Sequence, residues 1–132
     1  MRSYREYRNA KEGELRPIER FMRYALMDPQ KFEAILNANI NLVGYGMDEY
    51  AYTEFAVEYT PDDEEYFGDS GMQVSVYPPV SVEERHQLMS LDEYYAYLED
   101  YANCYLANKS QEEKQRVYAK LAKVKEAFRH AK

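Results

Sequence analysis

The sequence predicts an α+β fold: a small antiparallel sheet packed with short N-terminal helices and a C-terminal helical hairpin, in a single domain over residues 1–132. Three observations point there. Apolar residues recur at helical spacing towards both ends of the chain, they alternate with polar residues in two central runs, and prolines or capping residues stand where the period changes. At 132 residues and 45% apolar content, the chain is long enough and apolar enough to bury one core.

Residues 1–16 are polar and of mixed charge with Gly13 among them, which predicts a loosely ordered leader. Pro17 suits the first turn of a helix, and Ile18, Phe21, Met22 and Ala25 follow as one apolar stripe. Asp28-Pro29 reads as an N-cap and a first-turn proline. Phe32, Ile35 and Leu36 line this second short helix, which Asn37, Asn39 and Gly44 end before Gly46. From Glu49 the period becomes two. Ala51, Thr53, Phe55, Val57 and Tyr59 fall on one face of a half-buried strand, and Tyr50, Tyr52, Glu54, Ala56, Glu58 and Thr60 fall on the other, until Pro61 stops it. Met72, Val74 and Val76 alternate with Gln73, Ser75 and Tyr77 in a second strand, closed by Pro78-Pro79. The two strands are expected to pair as an antiparallel hairpin with a long acidic tip.

Residues 80–89 allow two readings. Ser81-Val82-Glu83-Glu84 has the pattern of a capping box, but the run is short, and a third, polar edge strand over residues 84–89 is preferred. Ser90-Leu91-Asp92-Glu93 is a capping box with acids placed against the positive end of the helix dipole. Leu91, Tyr94, Tyr95, Leu98, Tyr101, Ala102, Tyr105 and Leu106 form the stripe of that helix, and Asn108-Lys109 ends it. Ser110-Gln111-Glu112-Glu113 caps the last helix, lined by Val117, Leu121, Val124 and Phe128.

Charge is sorted into blocks. Residues 28–108 hold 17 acids and only two bases, Lys31 and Arg85, a local net of −15, whereas the whole chain carries −7. The two ends together therefore carry +8. An acidic centre of this size attracts cationic partners and repels nucleic acid. The last helix bears Lys114, Arg116, Lys120, Lys123, Lys125, Arg129 and Lys132, but the neighbouring acids oppose phosphate binding, and a solvated face accounts for these bases. No run of about 18 apolar residues exists, and Met1 to Arg8 lack the apolar stretch of a secretory signal, so a cytoplasmic location is expected. The single cysteine, Cys104, cannot form an internal disulfide, which agrees with a reducing compartment.

Enzyme chemistry finds little support. With Gly68 at the sixth position of a calcium loop, the fifth would be Phe67 and the twelfth Val74, neither of which can ligate. Cys104, His86 and His130 are too scattered for zinc. Gly44-Tyr45-Gly46 lacks the third glycine of a dinucleotide loop, because position 49 is Glu49. No cofactor, metal or catalytic residue is expected.

What remains is a mixture of carboxylates and aromatics. Asp62, Asp63, Glu64, Glu65 and Asp69 surround Tyr66 and Phe67, and Tyr50 and Tyr52 share a strand face with Glu54 and Glu58. Carboxylates steer and pair with Arg and Lys, while Tyr and Phe give an apolar anchor, as a docking surface for a basic protein requires. Asp62, Asp63, Glu64, Glu65, Tyr66, Phe67 and Asp69 are the leading partner-binding candidates, followed by Glu54, Glu58, Glu83 and Glu84.

The order of short helices, a Tyr-rich acidic strand, a hairpin, and then Ser90-Leu91-Asp92-Glu93-Tyr94-Tyr95 opening an amphipathic helix resembles small immunity proteins of bacterial polymorphic toxins, such as those of contact-dependent growth inhibition systems. The likeness extends from about Asp28 to Phe128 and rests on general texture. It implies a cytosolic, non-enzymatic protein that binds and neutralises a cognate toxin, often a basic nuclease, with carboxylates occupying the toxin's cationic substrate cleft. The partner would then be the C-terminal toxin domain of a secreted effector. The alternative is a general protein-interaction or regulatory module, dimeric through its Tyr-rich face; an enzyme with a site assembled from scattered acids and tyrosines is the third reading.

Overall fold

The computed structural model describes residues 1–25, 27–47 and 50–131. Asp48, Glu49 and Lys132, which belong to the charge blocks above, lie outside the described residues. Helices α1 (Tyr4–Tyr7), α2 (Pro17–Ala25) and α3 (Pro29–Ile40) precede strands β1 (Gly46–Met47), β2 (Ala51–Phe55), β3 (Met72–Val76) and β4 (Arg85–Met89). Helices α4 (Leu91–Tyr105) and α5 (Gln111–His130) complete the chain. The sheet is antiparallel throughout, in the order β1-β2-β3-β4, and the fold is α+β.

The capping residues act as their spacing predicts. Asp28 accepts from the Gln30 N–H at 3.1 Å. Ser90 accepts from the Glu93 N–H at 3.1 Å while Glu93 accepts from the Ser90 N–H at 3.2 Å. Ser110 caps α5 through the Glu113 N–H at 3.1 Å. At the far end of α3, Leu42 takes a left-handed conformation (φ 56°). The Leu42 and Val43 N–H groups then reach back to the carbonyls of Asn39 and Ala38, closing the last turn.

Strand β2 is shorter than the alternation predicts. It ends at Phe55, and residues 56–58 form a 3-10 turn, so Val57 is exposed and Tyr59 only half-buried. The cause is local. The Glu58 carboxylate accepts from the Phe55 N–H at 2.7 Å, and the Ala56 N–H turns to the Gly71 carbonyl at 3.0 Å. Gly71 has φ +84°, and a Cβ there would come within 2.5 Å of the Met89 carbonyl oxygen, so this corner needs glycine. The capping-box pattern at Ser81 starts no helix; β4 follows, as the edge-strand reading expects.

One face of the sheet is buried. Ala51, Thr53, Phe55, Met72, Val74 and Val76 are each at most 2% exposed. Helix α2 packs over β3 and β4, where the Ile18 N–H donates to the Gln87 side chain at 3.1 Å and Arg85 donates to the Leu15 carbonyl at 2.9 Å. Phe55 carries the core on to the hairpin, with ring centres 6.1 Å from Tyr94 and 5.5 Å from Phe128. All four apolar residues predicted for α5 are buried. On α4 the buried set includes Tyr97, outside the predicted stripe, while Tyr95 and Tyr105 are half-buried.

Residues 1–16, predicted from composition to be a loose leader, supply Tyr7 and Leu15 to the core. Tyr7 packs against Tyr4 and Tyr97, the Tyr4 N–H donates to Asp100 at 2.6 Å, and Arg2 pairs with the buried carboxylate of Glu19 at 2.6 Å. Buried polar groups are joined across helices as well. The Tyr94 hydroxyl donates to the Asn39 side-chain oxygen at 2.8 Å. Tyr94→Phe leaves that oxygen without its donor inside the core, so urea unfolding should show a loss of about 1–2 kcal/mol.

Candidate functional site

The loop between β2 and β3 presents most of the predicted docking residues. Asp62, Asp63, Glu64, Glu65 and Asp69 are exposed, and Tyr66 and Phe67 are half-buried. The loop is ordered by its own side chains. Asp63 accepts from the Thr60 N–H at 2.7 Å, the Tyr66 hydroxyl donates to Asp69, and Phe67 packs against Tyr59 with ring centres 6.3 Å apart. Among the described residues no Lys, Arg or His pairs with any of these five carboxylates.

The remaining candidates separate into different roles. The Glu58 carboxylate accepts from the Phe55 and Gly44 N–H groups, at 2.7 and 3.3 Å, and so holds the corner where β2 ends. Glu54 accepts from the Tyr59 hydroxyl at 2.6 Å; this bond, followed by burial, pushes the Tyr59 phenol well above its ordinary range. Glu83 and Glu84 lie in the connection between β3 and β4, at the opposite end of the strands from the loop, roughly 13 Å away along five residues. Glu83 lines a cavity of about 360 Å³ with Gly13, Arg20, Ser81, Val82 and Arg85. Glu84 pairs with His86 at 3.0 Å. The candidates thus form two clusters, joined by the second face of the sheet.

That second face carries side chains that the charge pattern does not single out. By register Tyr52, Ser75 and His86 form one row and Glu54, Gln73 and Leu88 the next. His86 and Leu88 are exposed; Tyr52, Glu54 and Gln73 are half-buried. Tyr77, which hydrogen-bonds through its N–H to the Tyr50 carbonyl, has its ring centre 5.8 Å from Tyr52 and 5.9 Å from His86. One His86 nitrogen, Nδ1, lies 2.7 Å from the Ser75 hydroxyl and 3.1 Å from the Gln73 amide, while Nε2 meets Glu84. Burial raises the Tyr77 phenol, and the charges of Glu84 and then Glu54 raise it further, so both carboxylates act on one ring. The alternation of Gln73, Ser75 and Tyr77 already places these three on one face; the pairing register brings His86 and Glu84 to them.

A family model described as CDI immunity protein matches residues 14–121, a span that contains all four strands and α4. The chain belongs to this family of contact-dependent growth inhibition immunity proteins. No curated protein and no solved structure matches it. Its role is to bind and neutralise a cognate toxin, and proteins of this family are generally non-enzymatic. Among the described residues of this immunity protein, no three His, Cys, Asp or Glu side chains gather as a metal site, and no helix is long and apolar enough to cross a membrane.

Elsewhere the central acids do meet terminal bases. Glu33 on α3 accepts from Arg116 at 2.9 Å and from Lys120 at 3.0 Å, both on α5. The Arg116 hydrogen bond above all lowers the Glu33 carboxyl from the ordinary 4.5 to about 2. A carboxyl lowered in the folded state stabilises the fold above its ordinary pKa, and that stabilisation is lost as pH falls towards the lowered value. Stability of the native chain should therefore fall more steeply than that of Glu33→Gln as pH drops from about 5 towards 2. Urea unfolding across that range checks the difference.

Proposed function

We propose that this immunity protein neutralises a basic toxin domain, a nuclease, by a 1:1 complex in which its acidic and aromatic surface occupies the toxin's substrate cleft. The observation that carries this reading is the loop Asp62–Asp69, whose five carboxylates are exposed and, among the described residues, form no ion pair with a Lys, Arg or His. A nuclease presents positive charge to its substrate, and a carboxylate-rich surface competes with phosphate for that charge. Long-range attraction speeds encounter, while Tyr66, Phe67 and the neighbouring tyrosines set the dissociation rate by excluding water from the contact. The partner is the C-terminal toxin domain of a secreted effector, and the complex forms in the cytoplasm. Inhibition of this kind is stoichiometric and uses no cofactor.

Stopped-flow association with the cognate toxin domain tests the reading. Asp62→Lys, Glu64→Lys and Glu65→Lys together avoid Asp63 and Asp69, which order the loop. At low salt the triple variant should associate at least about tenfold more slowly than the native chain, and the two rates should converge near 0.5 M salt. An association rate that ignores both the substitutions and the salt excludes the electrostatic mechanism.

A further inference from the structure

The loop supplies charge, but the second sheet face has the composition of a receptor for one kind of side chain. Tyr52 and Tyr77 lie with ring centres 5.8 Å apart, Glu54 follows Tyr52 on the same strand face, and Glu84, just before β4, bonds the far side of the His86 ring. Each carboxylate is already oriented by one internal bond. Glu54 uses Oε2 for the Tyr59 hydroxyl, and Glu84 uses Oε1 for His86. Among the described residues nothing bonds the second oxygen of either. The tyrosine pair is also held in place. Gly46 pairs with Tyr52, and a Cβ at Gly46 would come within 2.8 Å of the Tyr52 ring, so only glycine leaves that ring where it lies.

We propose that an arginine of the bound toxin lies against Tyr52 and Tyr77, its guanidinium attracted by the carboxylates of Glu54 and Glu84 on either side of that pair. This rests on the toxin-docking reading above and names what that surface recognises. Charge complementarity selects a cation. The aromatic pair selects arginine over lysine, because a guanidinium is planar, weakly hydrated, stacks on rings and offers donors in its plane to carboxylates, whereas an ammonium keeps its water. The arrangement repels a phosphate or a free carboxylate.

The test needs no toxin. N-acetyl-arginine methylamide is titrated into the ¹³C-tyrosine-labelled chain and followed on the ring signals of Tyr52 and Tyr77, with the corresponding lysine derivative as comparison. The expected result is a saturable millimolar shift of both rings, with the lysine derivative and the Tyr77→Leu and Glu54→Gln variants each binding roughly threefold to fivefold more weakly. Gln at position 54 keeps an acceptor for Tyr59, so it reports on charge even if Tyr77→Leu fails to fold. Absence of a saturable shift at these rings, equal binding of the lysine derivative, or indifference to Glu54→Gln overturns the proposal. If that happens while toxin association still depends on the loop charges and on salt, the arginine receptor is wrong and the docking reading stands.

Discussion

Strands β2, β3 and β4 bury one face each. Helix α2 rests on β3 and β4, and the Phe55 ring meets Tyr94 and Phe128 from the helical hairpin. The alternation of a strand then dictates everything on the other side, since each residue turned towards the helices sends its neighbours away from them. Thr53 and Val74 inside require Tyr52, Glu54, Gln73 and Ser75 outside. A face of tyrosines, carboxylates and one histidine is therefore set by the same register that builds the core. A slip of one residue would exchange the two faces and expose Phe55 and Val74 to water.

The hydrogen bonds on that outer face cost little and organise much. His86 joins Ser75 and Gln73 on β3 to Glu84 in the connection before its own strand, and its ring borders Tyr77. The loop beyond β2 is ordered in the same way, by Asp63 on Thr60 and by Tyr66 on Asp69. An acidic surface that is already ordered loses less conformational freedom when a partner arrives than a mobile acidic tail would. Glu58 contributes from beneath: its carboxylate is spent on two backbone N–H groups, which makes the sharp corner from which the loop departs.

Much of this was legible in the residues alone. The helix caps at Asp28, Ser90 and Ser110, the apolar stripes of α2 and α5, and strand β3 follow from spacing, because each depends on chain neighbours within a few positions. The failures involve bonds and pairings that hydropathy periodicity does not encode. Alternation continues to Thr60 in the sequence, but residues 56–58 form a 3-10 turn whose Glu58 side chain reaches back to the Phe55 N–H. The charge run marks the loop acids in the sequence, but spacing alone does not show that Glu83 and Glu84, ranked after them as candidates, lie at the other end of the sheet. Tyr77 and His86 carried no signal of their own until β4 was paired with β3, because their contact depends on the strand register.

The first residues of the chain bear on any attempt to reduce it. The family match opens at Glu14, yet Tyr7 is fully buried between α1 and α4, and Arg2 neutralises a carboxylate, Glu19, that is only 1% exposed. Trimming to the matched boundary would strip a ring from a packed aromatic cluster and leave the buried Glu19 carboxylate with the Arg16 N–H but without its arginine, so a minimal version of this inhibitor must begin upstream of its family signature.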